Sequence, residues 1–462
     1  MTLIKSISGI RGTIGGRTGD NLTPIDTVKF AAAYGTFIKN KNVGKKKITI
    51  VIGRDARISG GMVSGLVSDT LVGLGIHVID LGLSTTPTVE IAVPLEKADG
   101  GIILTASHNP KQWNALKLLN EKGEFLNGED GKTILEIADK EAFEFADVDD
   151  LGSVKKKKNY IKKHIKEVLK LKLVDKKAIK KAKFKVVVDG VNSTGGIAIP
   201  ALLKELGVKC VELYCEPNGH FPHNPEPLKE HLEDISKLVV KKKADFGIVV
   251  DPDVDRLALI SEDGSMFGEE YTLVACADYV LGKMNGGNTV SNLSSSRALR
   301  DVTEQHGGTY TASAVGEVNV VQMMKDTDTV IGGEGNGGII YPASHYGRDS
   351  LVGVALFLSH LAHKKISCKE LRDSYPSYFM SKNKIQLTPE IDVDKILATM
   401  AEKYKDEDVN TIDGVKIDFA EEWIHLRKSN TEPIIRIYTE AKSQEKADDL
   451  AERFITEIKE II

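Results

Sequence analysis

Three short apolar runs, set at domain-sized intervals along 462 residues, each end in a loop rich in reactive side chains. Ile102–Leu104 leads into Thr105-Ala-Ser-His-Asn-Pro110, and Ile248–Val250 into Asp251-Pro-Asp-Val-Asp-Arg256. Val330–Ile331 leads into Gly332-Gly-Glu-Gly-Asn-Gly-Gly338. Apolar runs bounded by turn residues predict buried strands, and helical stretches such as Met62–Leu74 and Ile197–Leu206 alternate with them. That alternation predicts an α/β fold with parallel pairing, in which functional groups collect where a strand hands over to a loop.

A chain of this length exceeds what one core supports, since single cores rarely grow past about 250–300 residues. A first α/β domain is expected over 1–150, with strands at Ile48–Gly53, His77–Leu81 and Gly101–Leu104. A second, 151–256, opens with a lysine-rich helical connection and the strand Phe184–Val188, and closes on the aspartate loop. A third, 257–375, carries the glycine-rich loop. The last, 376–462, changes pattern to α+β. It has a helix near Asp392–Tyr404, strands near Val415–Phe419, Trp423–Leu426 and Ile434–Thr439, and a charged helix over Gln444–Ile461.

Each loop has its own chemistry. Ser107 offers a hydroxyl at the end of a strand, followed by His108 and Asn109 before Pro110 stops further pairing. Alone, such a serine is as readily a turn residue or a helix cap. Asp251, Asp253 and Asp255 alternate on an extended backbone, so their carboxylates leave on one side and repel unless a cation lies between them. Oxygen ligands without Cys or His suit Mg²⁺ and not zinc. An EF-hand is excluded, because Arg256 stands where that loop needs glycine. An Asp-x-Asp hydrolase with Asp251 as nucleophile and Asp253 as proton shuttle remains an alternative, though it leaves Ser107 and Asp255 without a task.

Glu334 and Asn336 lie among five glycines, where backbone can approach a ligand and the side chains can pair with vicinal hydroxyls. Near the end, Arg427-Lys-Ser-Asn-Thr431 and Arg436 place guanidinium, hydroxyl and amide donors around one loop, a chemistry suited to a phosphate dianion. There is no Walker-type glycine loop to imply a nucleotide.

Taken together these motifs resemble the α-D-phosphohexomutases, a family that includes phosphoglucomutase, phosphomannomutase and phosphoglucosamine mutase. Thr105–Pro110 is similar to the family's phosphoserine loop, Asp251–Arg256 to its metal loop, Gly333–Gly337 to its sugar loop and Arg427–Pro433 to its phosphate loop, in the family's order. Ser8-Gly-Ile-Arg-Gly12, Gly53-Arg-Asp-Ala-Arg57, Asn114-Ala-Leu-Lys117 and Phe221–Pro227 resemble further family segments. Two places depart. Where many bacterial members have a serine and a histidine in the sugar loop, this chain has Asn336 and Gly338, and His345, a few residues on, is the candidate to replace the missing one. The Glu-Gly-Asn form resembles archaeal-type members, many assigned to glucosamine phosphate.

The resemblance implies three similar α/β domains and a smaller fourth around a central cleft. It implies an enzyme that interconverts hexose 6- and 1-phosphates through a phosphorylated Ser107 and a hexose 1,6-bisphosphate, which also serves as activator. Ser107 with Asp251, Asp253 and Asp255 would hold Mg²⁺. Lys117, Arg11 and His108 would surround the transferring oxygen, Lys117 moving the proton because burial beside cations lowers a lysine pKa. Arg256, Glu334, Asn336, Arg427, Ser429, Asn430, Thr431 and Arg436 would bind the substrate. A sugar-phosphate sensor on the same scaffold is the third reading, and it would not need an intact Ser107 with all three aspartates.

Bulk properties fit a small anionic ligand. Sixty-two Lys+Arg against 66 Asp+Glu gives −4, which favours neither nucleic acid nor a membrane as partner. Basic residues still gather in the motifs, at Arg11, Arg54, Arg57, Lys117, Arg256, Arg427 and Arg436. The four cysteines lack metal-ligand spacing, no apolar stretch approaches about 18 residues, and the start lacks a signal-like apolar core, so a cytoplasmic location is expected.

Overall fold

The computed structural model describes residues 2–6, 9–386, 391–428 and 434–461. Its first sheet has seven strands, in the order Ile4–Ser6, Gly9–Thr13, Trp113–Leu119, Gly100–Leu104, Thr49–Arg54, His77–Leu83 and Val154–Lys156. The second runs Leu257–Ser261, Phe246–Val250, Lys185–Asp189, Lys209–Leu213. The third runs Tyr310–Ser313, Asn288–Asn292, Thr329–Glu334, Gly338–Ile340. Val154–Lys156 pairs with the first sheet and Leu257–Ser261 with the second, which carries those units past the boundaries expected at 150 and 256.

Parallel pairing holds for the central strands of all three sheets. It fails at one side of each, in the same way. Gly100–Leu104, Phe246–Val250 and Thr329–Glu334 are each followed by a loop and then by a strand that returns antiparallel. The three reactive loops are therefore hairpin connections on parallel sheets, not strand-to-helix turns. Each returning strand closes with one further antiparallel bridge, Leu119 to Phe125, Ile260 to Met266 and Ile340 to Arg348. This recurrence in three units was hidden from the sequence, because it is a repeat of pairing and not of residues.

Local signals set the helices. Thr23 and Asp26 form a reciprocal capping box ahead of Pro24–Lys41. Asp349 caps Ser350–Lys364 through the amides of Leu351 and Val352. That last helix is buried along nearly its whole length, because it packs between the second and third units. Phe246, Phe267 and Phe357 meet edge to face there, with centroids 5.3 and 5.4 Å apart, so the two units share one continuous core. The lysine-rich connection is helical only from Tyr160, because Val154–Lys156 is instead a strand of the first sheet. In its helix Tyr160–Val168 the buried residues include Ile161, Ile165 and Val168, while the flanking lysines are exposed.

The fourth sheet is antiparallel, in the order Phe379–Gln386, Ile434–Ala441, Trp423–Lys428, Val415–Asp418, Asp408–Asn410, and the helices Val393–Lys403 and Gln444–Ile461 complete it. It is fixed to the third unit by Arg297. That guanidinium donates to the carbonyls of Phe419, Ala420 and Glu422 and to Asp418.

Candidate active site

Both left-handed residues that matter most are in the reactive loops. Ser107 has φ +48° and Val254 has φ +66°. For a β-branched valine this is an unfavourable conformation, and full burial of Val254 in the shared core holds it there. The turn points Asp251 toward the first unit, where its Oδ2 accepts a 2.7 Å bond from Ser107 Oγ. Two motifs 144 residues apart thus meet through the hydroxyl and the first aspartate.

The three aspartates are fully buried, with carboxylate oxygens within 4.8 Å of one another. Asp253 and Asp255 each have one oxygen committed to the protein, and Asp251 has both. Asp251 Oδ1 accepts from the amides of Asp255 and Arg256. Asp253 Oδ2 accepts from Lys117 Nζ at 2.7 Å and Thr86 Oγ1 at 2.6 Å. Asp255 Oδ2 accepts from Arg348 at 2.8 Å and Lys117 at 3.3 Å. The remaining oxygens of Asp253 and Asp255 are buried without a hydrogen-bond partner among the described residues. Burial, and then the charges of Asp253 and Asp255, push the Asp251 carboxyl well above the ordinary carboxylate range. Three clustered carboxyl groups, two of them with an orphaned oxygen, are a donor set that a hard divalent cation fits.

Around Ser107, three expected residues converge. Arg11, on Gly9–Thr13, lines one small cavity with Ser107 and Lys117. Its Nε and that of Arg256 are both buried without a partner among the described residues. His108 Nδ1 lies 3.4 Å from Ser107 Oγ, and burial, then Arg256, hold its imidazole well below the usual histidine range. Lys117 is where it was expected, but the reason given for its role does not hold. Burial opposes its charge, yet its contacts are carboxylates and not cations, and Asp253 and Asp255 raise its pKa above the ordinary lysine value.

Arg57 also departs from expectation. Its guanidinium is taken up within the protein and is not left for a ligand. It is 1% exposed, pairs with Asp55, and donates to the carbonyls of Ser107, Asn109, Pro110 and Trp113. It is the clasp that shapes the serine loop.

In the glycine-rich loop, Glu334 is 5% exposed and accepts from Asn292 at 2.9 Å and Arg348 at 3.0 Å, with Asn336 at 3.4 Å. Two of the glycines are obligatory. A Cβ on Gly333 would stand 1.9 Å from the Gly338 carbonyl, and one on Gly337, at φ +86°, 2.3 Å from the Leu257 carbonyl. His345 does not join this loop. Its Nε2 meets Asp349 at 3.2 Å and its Nδ1 lies 3.4 Å from Glu90, in a buried group with His164 at the junction with the first unit.

Arg427 lies beside Asp413 at 2.9 Å, and Arg436 is exposed directly opposite it on the neighbouring strand. The charge of Arg436 reaches Arg11, where with burial and Arg256 it lowers the guanidinium pKa. Ser429, Asn430 and Thr431 lie outside the described residues.

Sequence reasoning missed Arg348, Thr86 and Asn292. For Arg348 a signal existed: Tyr346-Gly-Arg-Asp349 heads a long apolar helix, where the aspartate has a capping task and the arginine has none.

Three α/β units and an α+β module, with a serine and an acidic cluster between them, define a phosphoryl-transfer scaffold. Comparison with known proteins gives the family. Models of the phosphoglucomutase/phosphomannomutase family match residues 3–145, 158–264 and 268–378 as its alpha/beta/alpha domains I, II and III, and 385–457 as its C-terminal domain. A phosphoglucomutase/phosphomannomutase of Thermococcus kodakarensis is 37% identical over 98% of both chains. A phosphoglucosamine/phosphogalactosamine mutase of Sulfurisphaera tokodaii is 32% identical, also over 98% of both. The crystal structure of a phosphoglucomutase/phosphomannomutase family protein from Burkholderia thailandensis superposes with a TM-score of 0.85 at 25% identity, over 99% of this chain and 97% of that one. The chain belongs to the phosphoglucomutase/phosphomannomutase family, the α-D-phosphohexomutases. It is an enzyme of the intramolecular phosphotransferase class. No helix among the described residues is long and apolar enough to cross a membrane.

Proposed function

We propose that this enzyme interconverts a hexose 6-phosphate and its 1-phosphate through a phosphorylated Ser107, with glucosamine phosphate as the preferred sugar. The contact between Ser107 Oγ and Asp251 at 2.7 Å carries the reading, because it joins the serine hydroxyl to the acidic cluster. Asp251, Asp253 and Asp255 would hold Mg²⁺ together with Ser107. Bound there, the ion would supply positive charge to phosphoryl oxygens as the P–O bond loosens.

The remaining steps belong to side chains. Arg11 and Arg256, whose Nε groups lack partners among the described residues, would take oxygens of a phosphate on Ser107. A sugar hydroxyl attacks that phosphorus, the bond to Ser107 Oγ breaks, and a hexose 1,6-bisphosphate forms. The attacking hydroxyl loses a proton and the serine oxygen gains one. His108, held neutral beside the reacting oxygen, would carry that proton, and Lys117, held charged by Asp253 and Asp255, would offset the developing negative charge. After the bisphosphate turns over within the cleft, Ser107 attacks its other phosphate and the charges reverse. Glu334 and Asn336 would take ring hydroxyls, and Arg427, Ser429, Asn430, Thr431 and Arg436 the distal phosphate. Exclusion of water by the fourth domain would protect the phosphoserine from hydrolysis.

The names of the relatives divide between glucose or mannose and glucosamine phosphates, and the Glu-Gly-Asn loop supports glucosamine. A coupled assay across the 1-phosphates of glucose, mannose and glucosamine, primed with glucose 1,6-bisphosphate, tests this. The expected result is the highest kcat/KM with glucosamine 1-phosphate. A preference for either other sugar reassigns the substrate, and no turnover of any of them overturns the reading.

Arg427→Ala supplies a check on the distal phosphate site. Loss of one charge-assisted contact should raise KM for the sugar phosphate on the order of tenfold or more with a smaller change in kcat. An unchanged KM removes that loop from the site.

A further inference from the structure

Arg348 touches three separate parts of the cleft. Its NH2 donates to Asp255 at 2.8 Å, its NH1 to Glu334 at 3.0 Å, and its Nε to Glu317 at 3.0 Å. Its own amide donates to the other oxygen of Glu317, also at 3.0 Å. Asp255 is in the acidic loop, Glu334 in the glycine-rich loop, and Glu317 opens the helix Glu317–Asp326. All four residues are buried. A planar guanidinium holds three carboxylates at fixed relative positions, which an ammonium group, as a point charge, does not.

We propose that Arg348 is a positioning residue that couples occupancy of the acidic cluster to sugar recognition at Glu334. The inference rests on the functional reading above and extends it to a link between the two subsites. One oxygen of Asp255 is fixed by Arg348 and Lys117, leaving its Oδ1 toward the cluster. The same guanidinium fixes Glu334 Oε2 and reaches Asn336 at 3.5 Å. A ligand that reorients Glu334 must change the pull on Asp255, and a cation that draws on Asp255 must change the pull on Glu334. Such coupling is reciprocal, because each ligand alters the other's affinity by the same factor. Glu317 binds both Nε and the backbone amide of Arg348, and so keeps the other two nitrogens aimed at Asp255 and Glu334 together.

The test is a pair of titrations on the full-length enzyme, read by thermal unfolding and not by activity. Magnesium chloride is titrated with and without saturating glucose 1,6-bisphosphate, and the bisphosphate is titrated in EDTA and in magnesium. Wild type should show each ligand shifting the other's midpoint on the order of tenfold. Arg348→Lys, which keeps the charge and loses the fork, should bring both shifts below about twofold while each ligand still binds alone. Glu317→Gln keeps Arg348 and its other two partners, and should lower the shifts by about threefold. It also decides the matter if the lysine variant does not fold. A residue that only supported the fold would lower the unfolding midpoint and leave the reciprocal shift intact. Unchanged reciprocal shifts in the folded variants, or none in wild type, overturn the coupling. Failure of wild type to bind magnesium alone or the bisphosphate alone would instead bring down the functional reading on which it stands.

Discussion

Ser107→Ala should reduce mutase turnover by on the order of 10⁴-fold or more, and no phosphorylated protein should appear in its intact mass after incubation with glucose 1,6-bisphosphate. The loss follows from removal of the one oxygen that can carry the phosphoryl group, and not from damage to the loop. The loop is shaped by Arg57, whose guanidinium holds the carbonyls of Ser107, Asn109, Pro110 and Trp113 whatever side chain residue 107 bears. Alanine at φ +48° keeps the strain that serine tolerates, whereas Ser107→Gly relieves it. The glycine variant should therefore be at least as stable as the alanine variant and equally inactive. That pairing separates chemistry from folding. If either variant isomerised sugar phosphates at a substantial rate, the serine mechanism would fail. If either hydrolysed them, Asp251 would become the nucleophile of the competing Asp-x-Asp reading.

What the sequence disclosed of this site is what lies close together along the chain. Ser107 with His108, and the alternating aspartates, are local motifs whose chemistry survives without coordinates. The strands that carry them were legible from apolar runs, and the helix Gln444–Ile461 from its charge and spacing. Contacts across long separations were not legible. Arg348 meets carboxylates 14, 31 and 93 residues away, and no pattern within one segment announces that. Arg57 shows the converse error. A sequence displays its charge but not the backbone carbonyls that satisfy it, so it was counted among the groups facing substrate. Lys117 was misjudged for the same reason: arginines share its motifs, but carboxylates share its space. The antiparallel return strands escaped because parallel α/β patterning describes the strands that helices connect, and a short loop leaves room for a hairpin.

Asp251→Asn should separate stability from activity in the opposite direction to most site variants. Lys117 and Arg348 compensate Asp253 and Asp255 directly, and neither donates to Asp251. Asp251 is held instead by two backbone amides and the Ser107 hydroxyl. Two unit charges about 4 Å apart repel by about 4 kcal/mol at an effective dielectric of about 20, so this carboxylate is the one the metal-free fold least tolerates. Asparagine keeps the shape. Its Oδ1 can accept from the same amides and its Nδ2 can donate to Ser107 Oγ, while the Ser107 hydroxyl hydrogen turns to His108 Nδ1, 3.4 Å away. Metal-free Asp251→Asn should then be more stable than wild type by on the order of 1 kcal/mol in denaturant unfolding. Wild type should gain about 2.7 kcal/mol when magnesium is a hundredfold above its dissociation constant, and the variant little under the same conditions. Turnover should fall on the order of 10³-fold, because the charge that holds the ion against Ser107 is gone. A metal-free variant less stable than wild type, yet still stabilised by magnesium, would mean that the cluster is an internally balanced ion-pair network. The repulsion that makes it a cation site would then be absent, and the role of Asp251 in phosphoryl transfer would have to be sought in its bond to Ser107 alone.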